Sequence, residues 1–188
     1  MTVSIRWADK HLLKFGKDIQ RLNTEFPKVL PRIVNQVGDR SKTQVIRALT
    51  KQTGLERRVI VAAVGDPRRA HGAKLSYEMV TRGGNIRVKY LNAKETEDGV
   101  VAKPFGKTST YYGAFMKGGA FPNRKNVPQF NGHAFYRLNP RGTKITFVRS
   151  GVVIPQEMTS GATAAAFDKV AGPLLKERVD KAIDKLLR

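Results

Sequence analysis

Residues 74–90 read KLSYEMVTRGGNIRVKY, and this stretch decides the fold class. Leu75, Tyr77 and Met79 alternate with Ser76 and Glu78, and Ile86, Val88 and Tyr90 alternate with Arg87 and Lys89. A period of two is the signature of a strand with one apolar face. Gly83-Gly84 lies between the two runs, and adjacent glycines accept the positive φ of a tight turn. The stretch therefore predicts a β-hairpin. Downstream, weaker alternation predicts strands at 100–103, 110–116, 133–138 and 144–149, for a mostly antiparallel sheet of about four to six strands. Residues 117–132 hold glycines and prolines without periodicity and read as a long loop.

Upstream the period is near 3.6. After an alternating start (Val3, Ile5, Trp7), apolar residues recur at Leu12, Phe15, Ile19, Leu22, Phe26, Leu30, Ile33 and Val37 with spacings of three and four, continuing through Val45 and Leu49. Pro27 and Pro31 lack amide donors, which predicts two helices or a sharp kink near Glu25–Lys28, the second part ending about Lys51. Thr53 and Glu56 have the spacing of a capping box, predicting a short helix from there to Val64, closed by Gly65-Asp66-Pro67. After Ile154-Pro155 the helical period returns through Met158, Ala162, Ala166, Val170, Leu175, Val179, Ile183 and Leu186, with a break at Gly172-Pro173. The expected architecture is α+β in a single domain, 1–188. It comprises an N-terminal helical segment (1–53) of two or three helices, a basic central region with the sheet (54–155), and a C-terminal amphipathic helix (156–188) packing on the sheet.

Composition narrows the function. The 188 residues contain 35 Lys+Arg against 15 Asp+Glu, a formal net charge of +20. Residues 1–53 carry 11 basic and 4 acidic side chains, residues 54–150 carry 18 and 6, and residues 151–188 carry 6 and 5. Such an excess repels itself unless an anionic partner offsets it, whether nucleic acid, an acidic protein or an anionic surface. The chain has no cysteine, which excludes disulfides, thiolate metal ligands and thiol nucleophiles. No apolar run approaches the roughly 20 residues of a membrane span, and the N-terminus has no signal-peptide pattern, so the sequence predicts an unprocessed soluble chain.

Catalytic patterns fail one by one. Gly106-Lys107-Thr108 resembles the end of a phosphate-binding loop, but Val101 stands where its first glycine belongs, and Pro104 interrupts it. His11, His71 and His133 have no ligand-like spacing. Glu95, Glu97 and Asp98 precede Gly99 as an ordinary acidic turn, the alternative being a Mg²⁺ site of a metal-dependent nuclease. No catalytic, cofactor or metal residue is assigned. Aromatics alternate with cations at Tyr111, Tyr112, Phe115 and Lys117 and at His133, Phe135, Tyr136 and Arg137. They suit base stacking in a cellular nucleic-acid-binding protein, or else the core face of strands.

Several stretches together resemble the minor tail protein Z family of lambda-like phages and prophages. They are RSKTQVIRAL (40–49) leading into TGLERRVI (53–60), NIRVKY (85–90), VVAKPF (100–105) with GAFMK (113–117), and RSGVVIP (149–155). Their order agrees too, and the resemblance covers most of residues 28–188. It implies a structural, non-enzymatic tail-completion protein without cofactors, in the virion at the head-proximal end of the tail and in the host cytoplasm during assembly. The partners it implies are tail terminator, connector or head-completion proteins and further copies of the chain, in a ring that is often six-fold around the DNA channel, with no membrane. Arg40, Arg47, Lys51, Arg57, Arg58, Arg68, Arg69, Arg87, Lys89, Lys117, Arg124 and Lys125 are the candidate contacts to DNA or acidic partners. Val179, Ile183 and Leu186 are the candidate packing or subunit contacts.

Overall fold

A computed structural model describes residues 10–187; the alternating start at Val3, Ile5 and Trp7 lies outside the described residues. The chain is α+β, and divides into two compact units. One unit comprises residues 1–42, 67–78 and 168–188, the other residues 43–66 and 79–167.

The N-terminal pattern forms one helix, α1 (Lys10–Thr53), with both prolines inside it. The division into two helices is absent. Pro27 is exposed, and the carbonyl its missing amide leaves free belongs to exposed Asn23, on the solvent side of the helix. Pro31 is one turn further, so both defects fall on one side of the helix. The same tolerance governs α4 (Gly161–Leu187), which runs through Pro173 where a break was expected: Lys169, four residues earlier, is exposed.

In the first unit, α1 buries Ile33, Val37, Gly38 and Ser41, and the 67–78 segment buries Ala70. Asn35 ties the two by accepting from the Ala70 amide and donating to its carbonyl, both at 2.9 Å. A Cβ on Gly38 would lie 2.2 Å from the Tyr77 ring, so the absence of a side chain is what lets that ring pack on the helix. Tyr77 donates its hydroxyl to Asp39 Oδ1 at 2.9 Å, and Arg69 donates to both oxygens of Asp39 at 2.9 and 3.1 Å. Burial, then the bond to Asp39, push the Tyr77 hydroxyl well above the ordinary tyrosine range. The segment 67–78 closes on itself through bridges between Arg68 and Glu78 and between His71 and Lys74 and is tied to α1 by Asn35 and Asp39, and the predicted hairpin with residues 85–90 does not form. Period two identified extended chain with a buried side but not its pairing partner.

The second unit holds every strand among the described residues. β1 (Asn85–Arg87) pairs antiparallel with β7 (Arg149–Val153); β2 (Lys94–Glu95), β3 (Gly99–Ala102) and β4 (Ser109–Tyr112) form a three-stranded sheet; β5 (Phe135–Arg137) pairs with β6 (Ile145–Phe147). Seven short strands thus make three small antiparallel sheets where one was expected. Two side chains fix β1 against β7: the Ser150 hydroxyl donates to the Ile86 carbonyl at 2.8 Å, and Asn85 accepts from the Gly151 amide at 2.8 Å. Val88–Leu91, read as strand, is a 3₁₀ turn that sinks Val88 and Leu91 into the core. That core joins Ile46 and Leu49 of α1, Leu55, Ile60 and Val64 of and around α2 (Arg57–Val64), and Val100, Val148, Val152 and Ile154.

Thr53 ends α1 instead of opening α2. Its hydroxyl donates to the Leu49 carbonyl at 2.7 Å and accepts from the Leu55 amide, while Glu56, at the N-cap of α2, makes no side-chain cap bond. Between them Gly54 turns with φ +75°, and a Cβ there would meet the Lys103 carbonyl at 2.7 Å. The chain leaves β7 through α3 (Ile154–Met158) into the start of α4. Gln52 locks this corner: its amide donates to Glu157 Oε2 at 2.7 Å and to the Glu157 carbonyl at 3.2 Å, and its oxygen accepts from the Thr163 amide at 3.0 Å and hydroxyl at 2.9 Å. Only residues 161–167 of α4 belong to the unit with the strands; residues 168–187 belong to the other. The 117–132 stretch is organised by a Gly118–Lys125 bridge and a 3₁₀ turn at Pro128–Phe130.

Candidate functional site

The sequence-derived cations sort by what they touch. In the first unit Arg69 is spent on Asp39 and Arg68 lies 3.7 Å from Glu78, whereas Arg40 is exposed on α1. In the second unit Arg58 pairs with Glu56 at 2.6 Å. Arg124 leaves the candidate surface: its side chain is 13% exposed, and it is bonded to the Glu95 carboxylate and the Gly119 carbonyl, inside the stretch read as a long loop. Glu95, itself 8% exposed, also accepts from the Met116 amide at 3.2 Å. This ion pair holds the loop to β2, and Glu95 is unavailable to act with Glu97 and Asp98 at the hairpin tip. Among the described residues no three His, Asp or Glu side chains are grouped as a metal would require. No helix among them is long and apolar enough to cross a membrane.

Arg40, Arg47, Lys51, Arg57, Lys117 and Lys125 remain exposed, with no ion pair among the described residues. Arg47 and Lys51 are one turn apart on α1, and Arg57 begins α2 in the same unit. Surface pairs contribute little to stability even when made, so leaving these unmade costs the fold little and keeps their charge for a partner.

Arg87 and Lys89 sit in a different setting, which joins them to aromatic residues. Phe115, Phe130, Phe135, Phe147 and His133 form a contiguous ring cluster with centroid separations of 4.9–6.1 Å from ring to ring. Its inner members Phe115 and Phe135 are buried, which supports the core-face reading for them, while Phe147 and Tyr90 reach the surface at 37% and 40% exposure. The Arg87 guanidinium lies 3.7 Å over the Phe147 ring, and Arg137 lies 4.6 Å over Phe115. Lys89 donates to the Asn131 carbonyl at 3.2 Å and stands 5.2 Å over the Tyr90 ring. His133 Nε2 is 3.4 Å from Arg87, and its Nδ1 is buried without a hydrogen-bond partner. Burial first, then the charges of Lys89 and Arg87, hold the imidazole below its ordinary pKa and favour the neutral ring.

The sequence missed three features. Phe105 adopts φ +54°, a conformation rare outside glycine, and is 41% exposed. Beside it, Leu91, Val101 and Ala102 floor a groove of about 540 Å³ whose only charged lining residues are Lys94 and Lys103. Arg149, not singled out in the sequence, lies directly across from Arg87 in the β1–β7 pair. Only strand pairing reveals that juxtaposition. Val179, Ile183 and Leu186 recur along α4 in the first unit, each half-buried.

No family model, curated protein or solved structure matches this chain.

Proposed function

We propose that the chain is a structural tail-completion protein of a tailed phage, acting as a ring subunit at the head-proximal end of the tail. Its unpaired cations then face the DNA channel or acidic neighbouring proteins. The observation that carries the contact role is the set of exposed side chains Arg40, Arg47, Lys51, Arg57, Lys117 and Lys125, without an ion pair among the described residues, on a chain of net charge +20. Phosphate neutralisation needs only such cations, without geometry for reading bases. The tail assignment rests on the sequence resemblance and its order of elements. Half-buried Val179, Ile183 and Leu186 give α4 an apolar edge suited to subunit packing.

Two measurements test this reading. Binding of the full chain to a short DNA duplex should weaken steeply with salt, and R47E, K51E and R57E together should flatten the slope by about 0.9 per lost phosphate contact. Absence of salt-dependent binding removes DNA as the partner and leaves acidic proteins. Particles made without the chain should accumulate separate heads and tails; normal joined virions overturn the tail assignment. A second reading, a cellular nucleic-acid binder, is favoured by exposed Tyr90 and Phe147 beside Arg87, and requires strand- or sequence-selective binding by the monomer.

A further inference from the structure

We propose that Arg87 and Lys89, which flank the buried imidazole of His133, and Arg149, the cross-strand partner of Arg87, form a binding site for a phosphoryl group. The site does not depend on the tail assignment.

Four observations converge on it. First, Arg87 and Arg149 are directly cross-strand partners in a two-stranded sheet. Like charges in that position are destabilising, and most sheets place a carboxylate or a neutral residue there. Second, none of the three cations makes an ion pair among the described residues, although Glu95, Glu97 and Asp98 belong to the same unit. Third, the Arg87 side chain is held in place by the Phe147 ring beneath it, so little conformational entropy is lost when it takes an anion. Lys89 is likewise oriented, by its bond to Asn131. Fourth, His133 is 8% exposed beside Arg87 and Lys89, with Nε2 3.4 Å from the Arg87 guanidinium and Nδ1 buried without a partner. The charged and titratable groups facing it are Arg87 from β1 and Lys89 and Tyr90 from the turn that follows; β5 and β6 present only the rings of Phe135 and Phe147.

A phosphoryl group fits better than a carboxylate. It carries more charge, and its tetrahedral oxygens match donors that arrive from two strands and a turn rather than from one plane. Exposed Phe147 and Tyr90 beside the cations add a surface for a base attached to that phosphate. The phosphate of a nucleic acid and free inorganic phosphate share this chemistry.

Linkage supplies the readout. The cations now oppose protonation of His133; an anion among them offsets their field, so the imidazolium becomes easier to form and its pKa rises towards the ordinary value. By reciprocity the phosphate binds more tightly as the pH falls through that range. The test is an NMR titration of the histidine ring resonances of the full chain at constant ionic strength in chloride, in inorganic phosphate, and with an oligothymidylate of about eight nucleotides. His133 is assigned by H133Q. The expected result is an upward move of the His133 midpoint by about half a pH unit in a phosphate-bearing arm. The move should be lost in R87Q and R149Q. A response to the oligonucleotide alone identifies nucleic acid as the source, and a response to inorganic phosphate identifies a small phosphate. If neither moves His133, or if R149Q leaves the move intact, the proposal is overturned, even where duplex binding through other cations persists. Should R87Q fail to fold, R149Q decides, because the Arg149 side chain has no ion pair among the described residues.

Discussion

Gly38 shows how one residue sets a local contact. Within a helix, alanine is worth about 1 kcal/mol more than glycine by propensity alone, so G38A would stabilise an isolated α1. In the folded chain the added methyl would meet three atoms of the Tyr77 ring at 2.2–2.6 Å. These are ring atoms near the Cβ end, not a movable tip, and shifting the ring also strains its bond to Asp39. Overpacking outweighs propensity, and G38A is expected to lose about 1–3 kcal/mol in urea unfolding. Nothing in the sequence marks this glycine, because its partner is 39 residues away and the contact exists only once 67–78 folds back. Glu95 and Arg124 were equally opaque. As sequence they are a turn acid and a loop cation; as structure they are one buried pair.

At the scale of elements, helices, strand segments and their order were legible, and breaks and pairings were not. Periodicity gave the long N-terminal helix, the helix ending at Val64, most strands and the C-terminal helix. Proline was read as a terminator at residues 27, 31 and 173, but each freed carbonyl or proline ring lies where solvent or the next turn accommodates it, so α1 and α4 continue. Partner choice among strands was illegible because it is decided by groups such as Ser150 and Asn85, whose hydrogen bonds across 64 and 66 residues carry no local signal. Gln52 is the same kind of long-range group at a helix junction. It satisfies the Thr163 amide and the buried Thr163 hydroxyl together while holding Glu157. Q52A leaves those groups without protein partners and is expected to cost about 1–3 kcal/mol in thermal or urea unfolding, with Q52E less well tolerated than an isosteric swap implies because it meets Glu157.

For the molecule as a whole, the candidate surface was partly legible. Net charge pointed to an anionic partner, and of the twelve cations chosen from sequence, Arg124 proved internal, Arg58, Arg68 and Arg69 have acidic neighbours, and the remainder lie outside ion pairs. The sequence treated aromatics and cations as one mixed feature. The structure divides them into a buried ring cluster and an exposed margin that carries Arg87 and Lys89, with Arg149 paired across the strands from Arg87. Arg149 escaped notice because register, not sequence spacing, makes it a neighbour of Arg87.

The prolines of α1 have one more consequence. Among the described side chains of this helix, which start at residue 17, buried positions begin at Ile33 and residues 17–30 contain none. Two backbone bonds are missing at the border between these stretches, so the helix is interrupted in cooperativity there. Opening the turns at residues 17–26 exposes no buried side chain among those described, whereas opening those after Pro31 uncovers Ile33, Val37 and, further on, Leu49. Native-state hydrogen exchange should therefore show a step along α1, with amides of residues 18–26 exchanging by local fraying and those of residues 45–50 only through global unfolding. Equal protection across Pro27 and Pro31 would show that the helix opens as one unit.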